Sequence, residues 1–282
     1  MPTLAARTAA TFDNLTGGRL WLHIISGGAD GEQHRDGDWL GHDERYARTD
    51  EYLEIMRRVW TSEQSFDFAG RFYHVSKAFS EVRSTQRPHV PVYFGGASDA
   101  AVRVGAKHCD VYALFGEPRA AVRAMAERIL AEAAQHGRRP RFNVSFRPIL
   151  APTEGAAWDK ARGILAHLQS TAQKFSVATE AEFSRRLTRL ADDGEIYDER
   201  LWTGLVKVSG ASGNTTALVG TPEQVAKAVV AYCDLGVRGV LIRGFDPFAD
   251  AEEFGRELIP RVRALVAERD GAPALGSITS SY

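Results

Sequence analysis

The chain has 282 residues, with 35 Lys+Arg against 36 Asp+Glu, so its formal net charge is -1. Hydrophobic residues make up 44% and charged residues 25%, the balance of an ordinary globular protein, and near-neutrality argues against a polyanion or an anionic membrane surface as the main partner. No apolar run approaches the ~18–20 residues needed to span a bilayer; Met1–Thr11 lacks the apolar core of a secretory signal, and the two cysteines, Cys109 and Cys233, sit in no metal-ligand spacing, so a reduced, cytoplasmic compartment is expected.

The chain opens on a predicted helix, Thr3 to Leu15. Arg19 to Ser26 is a short apolar run ending in Gly27-Gly28, and Asp43 and Glu44 favour a helix N-terminus after His42. Tyr52, Met56 and Val59 share a helical face. Gly70 separates Phe66-Asp67-Phe68 from Phe72–Val75, which predicts a small hairpin. Pro91 to Phe94 ends in Gly95-Gly96 and leads into a helix over Ala100 to Ala106. Asp110 to Phe115, Phe142 to Leu150 and Val237 to Arg243 are further strand-like runs closed by turn residues. Between them lie two helical faces, Val122/Met125/Ile129 and Val225/Val229/Tyr232, the second opened by Thr221 as N-cap and Pro222 at the first helical position.

Glu154 to about Trp202 is long, charged and helical, with no strand of its own, and is expected to be an insertion beside the main fold. The tail from Gly271 to Tyr282 is rich in Gly, Ala and Ser and is expected to be loosely ordered. Strand–helix alternation predicts a parallel sheet flanked by helices. Five parallel strands are legible; a closed (β/α)8 barrel needs eight. An open doubly wound sheet fits the count, but no glycine-rich fingerprint follows the first strand.

In either architecture the chemistry collects at the carboxyl ends of the strands. His23 and Ser26 lie after the first. Gly95-Gly96-Ala97-Ser98-Asp99 follows the second and leads into a helix, where backbone N–H groups and the helix dipole would cradle a phosphate. A plain strand-to-helix turn capped by Ser98 or Asp99 fits the same residues equally. Glu117, in Phe115-Gly116-Glu117-Pro118, is either a polar site residue or a first-turn charge. Arg147 interrupts an apolar strand and is better read as facing a polar pocket than as half of a buried ion pair. Arg243, ending Leu-Ile-Arg-Gly-Phe, invites the same reading, and the two would suit an anionic substrate or a developing oxyanion. No nucleophile elbow, HExxH or CxxC supports a hydrolase or a metal site.

The strings PTLAARTAATFDNLTGGR, HDERYARTDEYLEIMRRVW, PVYFGGASDAA, FGEP, TALVGTPEQVA and GRELIPRV resemble the bacterial luciferase-like flavin-dependent monooxygenases, most of all the alkanesulfonate monooxygenases, in consistent order from Pro2 to about Val266. The resemblance implies a (β/α)8 TIM-barrel domain over residues 1–270, with the helical insertion at about 154–202 and a flexible tail at 271–282. It implies reduced FMN supplied by a separate NAD(P)H-dependent reductase, with O2 as co-substrate. A C4a-peroxyflavin would then oxygenate an alkanesulfonate or similar organosulfur compound. It also implies pairing of barrels into a homo-oligomer.

Carried over by residue, the resemblance places the FMN phosphate near Tyr46, Gly96, Ala97 and Ser98, and the flavin near His23 and Ser26, where relatives have Asn and Thr. Sulfonate relatives carry Arg and His where this chain has Ser145 and Arg147, and Tyr and His where it has Gly244 to Pro247. A basic loop residue should fall within Val206 to Asn214, where Lys207 is the only cation. Arg147, Lys207 and Arg243 are thus the expected charge-stabilising set. Relatives also carry a βαβαβ segment ahead of Pro2-Thr3, so the chain is expected to lack the first three barrel strands and to fold poorly or be inactive alone. Two other readings stand beside this one: a deazaflavin (F420) hydride-transfer enzyme of the same barrel, and a non-catalytic or truncated flavin-barrel relative.

Overall fold

The computed structural model describes residues 1–171, 182–211 and 215–271, which form two compact units. The first comprises Met1–Tyr112 and Ile129–Pro140; the second comprises Ala113–Arg128 and the described residues from Arg141 to Gly271.

The first unit begins with α1 (Pro2–Leu15), which presents Ala6, Ala9 and Ala10 inward. These small side chains let α1 lie close against α3 (His42–Thr61), and the Trp60 indole N–H donates to the Ala6 carbonyl at 2.7 Å. Strand β1 (Leu22–Ile24) runs parallel to β4 (Val92–Gly95), pairing Leu22 with Val92 and Ile24 with Phe94. A short helix, α2 (Asp30–Arg35), lies between β1 and α3.

The expected hairpin is present as antiparallel β2 (Phe66–Ala69) and β3 (His74–Ala78). Its turn is held from α3: the Glu51 carboxylate accepts the backbone N–H groups of Arg71, Phe72 and Tyr73 at 2.7–3.0 Å. Gly70 is required there, since a Cβ would fall 2.4 Å from that carboxylate. Helix α4 (Asp99–His108) follows β4, and β5 (Val111–Phe115) and α5 (Arg119–Ala134) contribute residues to both units.

The second unit is organised on β6 (Arg141–Leu150), buried along most of its length, which suits its predominantly apolar sequence. β6 changes parallel partner midway. Its first half pairs with β10 (Val237–Ile242), up to Phe146 against Ile242, and its second half with β9 (Ala217–Gly220), from Arg147 against Ala217. β9 is a parallel strand beyond the five read from the sequence; four residues, all buried, are too few to show a period. α6 (Glu154–Thr171) and α7 (Glu182–Asp193) confirm helix in the 154–202 stretch, of which 172–181 lie outside the described residues.

The expectation that this stretch holds no strand is corrected. β7 (Ile196–Tyr197) and β8 (Leu201–Trp202) form an antiparallel pair that continues onto β9. The buried Trp202 packs there with Ile149, Leu205 and Val219, which makes Leu201-Trp202 part of the core. α8 (Pro222–Ala231) starts as expected. Thr221 Oγ1 accepts from Gln224 N at 3.3 Å and Gln224 Oε1 accepts from Thr221 N at 2.9 Å, a reciprocal capping box. After β10 come α9 (Pro247–Glu253), a π-helical turn over Phe254–Leu258, and α10 (Ile259–Asp270). Apart from Gly271, the tail lies outside the described residues. Among the described residues, no helix is long and apolar enough to cross a membrane.

Candidate functional site

The six residues expected at the flavin all lie in the first unit, and the structure brings four of them together. Ser98 is the N-cap of α4, its Oγ accepting from Ala101 N at 3.2 Å. Gly96, at the end of β4, has φ +147°, a region that disfavours L side chains. A Cβ there would lie 2.4 Å from the Ala101 Cβ and 3.0 Å from the Tyr46 hydroxyl. The glycine therefore lets the first turn of α4 and the Tyr46 phenol close directly onto its Cα, beside the Ser98 hydroxyl. First-turn N–H groups have no acceptor within their own helix, and the dipole places partial positive charge beside them. Ala97, buried between Gly96 and Ser98, adds no bulk beyond a methyl.

Tyr46 reaches this point from the first turns of α3 and is itself buried. Burial raises its pKa, with Asp43 adding to the rise, while a hydrogen bond with Ser98 and the charge of Arg45 pull the other way. The net rise keeps the phenol protonated, as a donor, through the neutral range.

Ser26 is also buried, and its Oγ meets Thr49 Oγ1 at 2.8 Å, while Thr49 Oγ1 donates to the Arg45 carbonyl at 2.9 Å. Its contacts thus tie the end of β1 to α3. His23 is exposed on β1 with its ring 6.4 Å from that of Tyr93, and desolvation by its surroundings lowers its pKa.

Two residues that sequence reasoning missed support this region. Tyr112 donates its hydroxyl to the Gly96 carbonyl at 2.8 Å and fixes that peptide. Arg45, 2% exposed, donates to the Leu40 carbonyl at 2.6 Å and pairs with Asp30 at 2.9 Å, while its buried Nε has no hydrogen-bond partner among the described residues. In sequence it is one charge among several in HDERYAR, and nothing marks it as the buried one.

The three residues expected to stabilise charge lie in the second unit, and the structure brings two of them together. Arg243 follows β10, and its backbone N–H donates to the Phe146 carbonyl at 3.1 Å. The next residue of β6, Arg147, donates its own N–H to Thr216 at 3.0 Å. Phe146 pairs with Ile242, so Arg147, inside β6 where its partner changes, and Arg243, just past β10, occupy neighbouring positions on adjacent parallel strands. The Arg147 guanidinium donates to the Gly244 carbonyl at 2.6 Å and lies 5.0 Å from the Phe245 ring centre. Burial, then the like charge of Arg243, lowers its pKa, and Asp250 partly offsets this. Lys207 is placed differently: it forms an ion pair with Asp192 at 2.9 Å in which both side chains are more than half exposed. The end of its loop, residues 212–214, lies outside the described residues.

Glu117 resolves to a structural role. Its buried carboxylate takes two bonds from Arg186 at 2.9 and 2.6 Å, and its carbonyl accepts from the Tyr232 hydroxyl at 2.9 Å.

The chain also matches known proteins. The family model described as luciferase-like monooxygenase matches residues 1–239. A riboflavin lyase solved with modified FMN and riboflavin is similar in fold at TM-score 0.75 and 21% identity, over 97% of this chain and 69% of that one. The EDTA monooxygenase of Chelativorans sp. BNC1 is similar at TM-score 0.74 and 18% identity, over 97% and 75%. An F420-dependent secondary alcohol dehydrogenase solved with an F420–acetone adduct is similar at TM-score 0.67 and 19% identity, over 93% and 75%. These likenesses show the luciferase-like TIM-barrel type of fold. The chain belongs to the luciferase-like monooxygenase family.

Proposed function

We propose that this chain is the oxygenating component of a two-component, reduced-FMN- and O2-dependent monooxygenase, acting on an alkanesulfonate or a similar organosulfur anion. The observation that carries the cofactor reading is the meeting of the Tyr46 and Ser98 hydroxyls at the N-terminus of α4, an approach that Gly96 permits because it has no Cβ. These residues fit a flavin phosphate. Ser98, Tyr46 and the first-turn N–H groups of α4 would hold it, with His23 and Ser26 at the end of β1 toward the ring system. When bound, reduced flavin supplies the electrons that activate O2, chemistry that belongs to the cofactor.

The protein's own part is to bind, to orient and to keep charge in place. Arg147 within β6 and Arg243 just past β10 put two positive charges on neighbouring strands, and a sulfonate head group matches a guanidinium fork in charge and geometry. The reductase partner and a homo-oligomer of this chain are part of the same proposal.

The test is an anaerobic titration of reduced FMN followed through the fluorescence of the 5 Trp residues. Saturable binding weakened by both Ser98→Ala and Tyr46→Phe supports the cradle; binding indifferent to both contradicts it. Aerobic turnover of 1-octanesulfonate with sulfite release then tests the substrate class.

A hydride-transfer enzyme using F420 is the second reading, favoured by the likeness to the F420-dependent alcohol dehydrogenase. Anaerobic reduction of F420 by an alcohol in the presence of this chain would select it over the oxygenase.

A further inference from the structure

We propose that Asp250 is a positioning residue for Arg147, acting through the turn Gly244–Asp246. The inference rests on the reading of Arg147 as the group that holds an anion. It starts from a feature of this chain's own sequence, Gly-Phe-Asp-Pro after β10.

The turn is gripped from two sides. On one side, Asp250 Oδ2 accepts the backbone N–H of Phe245 at 2.6 Å and of Asp246 at 3.0 Å. Its side chain lies so close to Gly244 that a Cβ there would fall 2.3 Å from both the Asp250 Cβ and Oδ2. On the other side, the same turn holds Arg147, through the Gly244 carbonyl at 2.6 Å and the Phe245 ring at 5.0 Å. The Phe245 ring is in turn packed on the cluster around Ile149 and Trp202. These two contacts of the guanidinium belong to the turn that Asp250 pins.

The neighbouring carboxylate, Asp246, does something else. Its Oδ1 caps α9 by accepting from Phe248 N and Ala249 N, both at 3.1 Å. Asp250 also puts a negative charge beside two arginines that repel each other. A carboxylate accepting two backbone N–H groups is a rigid anchor, because both bonds are charge-assisted and fixed in direction. Releasing it frees the peptide plane of Gly244, and with it the direction of the guanidinium.

The experiment follows the arginine directly. In 1H–15N spectra of the full labelled chain, the Nε–H resonance of Arg147 is identified by its loss in Arg147→Lys. Asp250→Ala should shift that resonance away from its position in the parent and weaken 1-octanesulfonate binding roughly tenfold. Asp250→Asn, which keeps an acceptor oxygen, should return it most of the way to the parent position, and Asp246→Asn should leave it in place. If Asp250→Ala does not fold, Asp250→Ser gives the same comparison. An unmoved Arg147 resonance in a folded Asp250→Ala or Asp250→Ser variant overturns the inference. A moved resonance, with sulfonate affinity absent in the parent or indifferent to Arg147→Ala, upholds the positioning and removes the anion assignment instead.

Discussion

The Tyr112 hydroxyl donates to the Gly96 carbonyl at 2.8 Å, locking the peptide of a residue whose φ of +147° and missing Cβ let Ala101 and Tyr46 close onto it. Gly96→Ala would impose a Cβ 2.4 Å from Ala101 on that backbone. We expect a loss of about 1–3 kcal/mol from strain and overpacking. Reduced-FMN affinity should fall further than stability, because the same Cβ also crowds the Tyr46 hydroxyl. Urea unfolding and the anaerobic titration, run on one preparation, separate the two losses. Wild-type affinity in Gly96→Ala would remove the cradle from the flavin site.

Ser98→Ala should cost about 1 kcal/mol, the usual effect of losing a serine N-cap. Its Oγ accepts from Ala101 N at 3.2 Å, so the first turn loosens where the phosphate would sit. Ser98→Asp keeps a capping oxygen but brings negative charge. It should therefore retain stability and lose reduced-FMN binding, which a thermal melt beside a titration would register. Tight binding by Ser98→Asp would contradict a phosphate at this helix start.

The start of α8 is legible in the sequence because its information is local: Thr221, Pro222 and Gln224 form the cap among themselves. Ser98 is legible for the same reason. The strands that carry His23 and Arg147, and the one that Arg243 follows, are legible as apolar runs with a marked stop. What escapes a sequence reading depends on distant partners or on brevity. Glu117 fits two roles equally until Arg186, 69 positions away, is seen to grip it. Lys207 is a surface partner of Asp192, which no spacing discloses. β9 and β8 are four and two residues long, and only their burial makes them strands of the core.

Stability should fall as pH drops from above 6.5, and His108 is one cause. Burial lowers its pKa below the ordinary value of 6.5, and the charges of Arg57 and Lys107 push the same way, despite the hydrogen bond to Asp50. The neutral ring donates Nε2–H to Asp50 Oδ1 at 2.5 Å. A depressed folded-state pKa means that the unfolded chain takes up the proton first, so this contribution is complete above 6.5 and is lost below it. Asp50 acts in a second, more acidic window. Burial would raise its pKa, but hydrogen bonds from His108 and Lys107 outweigh that and hold it at about 2. Its contribution is present above its ordinary value of 3.8 and is lost as pH falls toward 2. Unfolding free energies measured on either side of the histidine range, at about pH 7.5 and about pH 5.5, should differ less in His108→Gln than in the parent. An unchanged slope would assign the acid sensitivity elsewhere, His23 being the next group with a lowered value.

Glu117 and Arg186 should behave as one unit. The Glu117 side chain is 6% exposed and that of Arg186 24%, so removing the carboxylate strands a largely buried cation. Glu117→Ala is expected to cost about 2–3 kcal/mol, below the full cost of breaking a buried pair because water still reaches the arginine. The loss should spread to Tyr232, which is buried, donates to the Glu117 carbonyl at 2.9 Å and packs 4.9 Å from the Phe146 ring. Replacing both partners with apolar residues, Glu117→Leu with Arg186→Met, should recover most of the stability, because no unpaired charge then remains. Urea unfolding of the two single variants and the double closes the cycle. A double variant as unstable as the sum of the singles would show that the pair does not act as a unit, and would return Glu117 to the polar residues available for function.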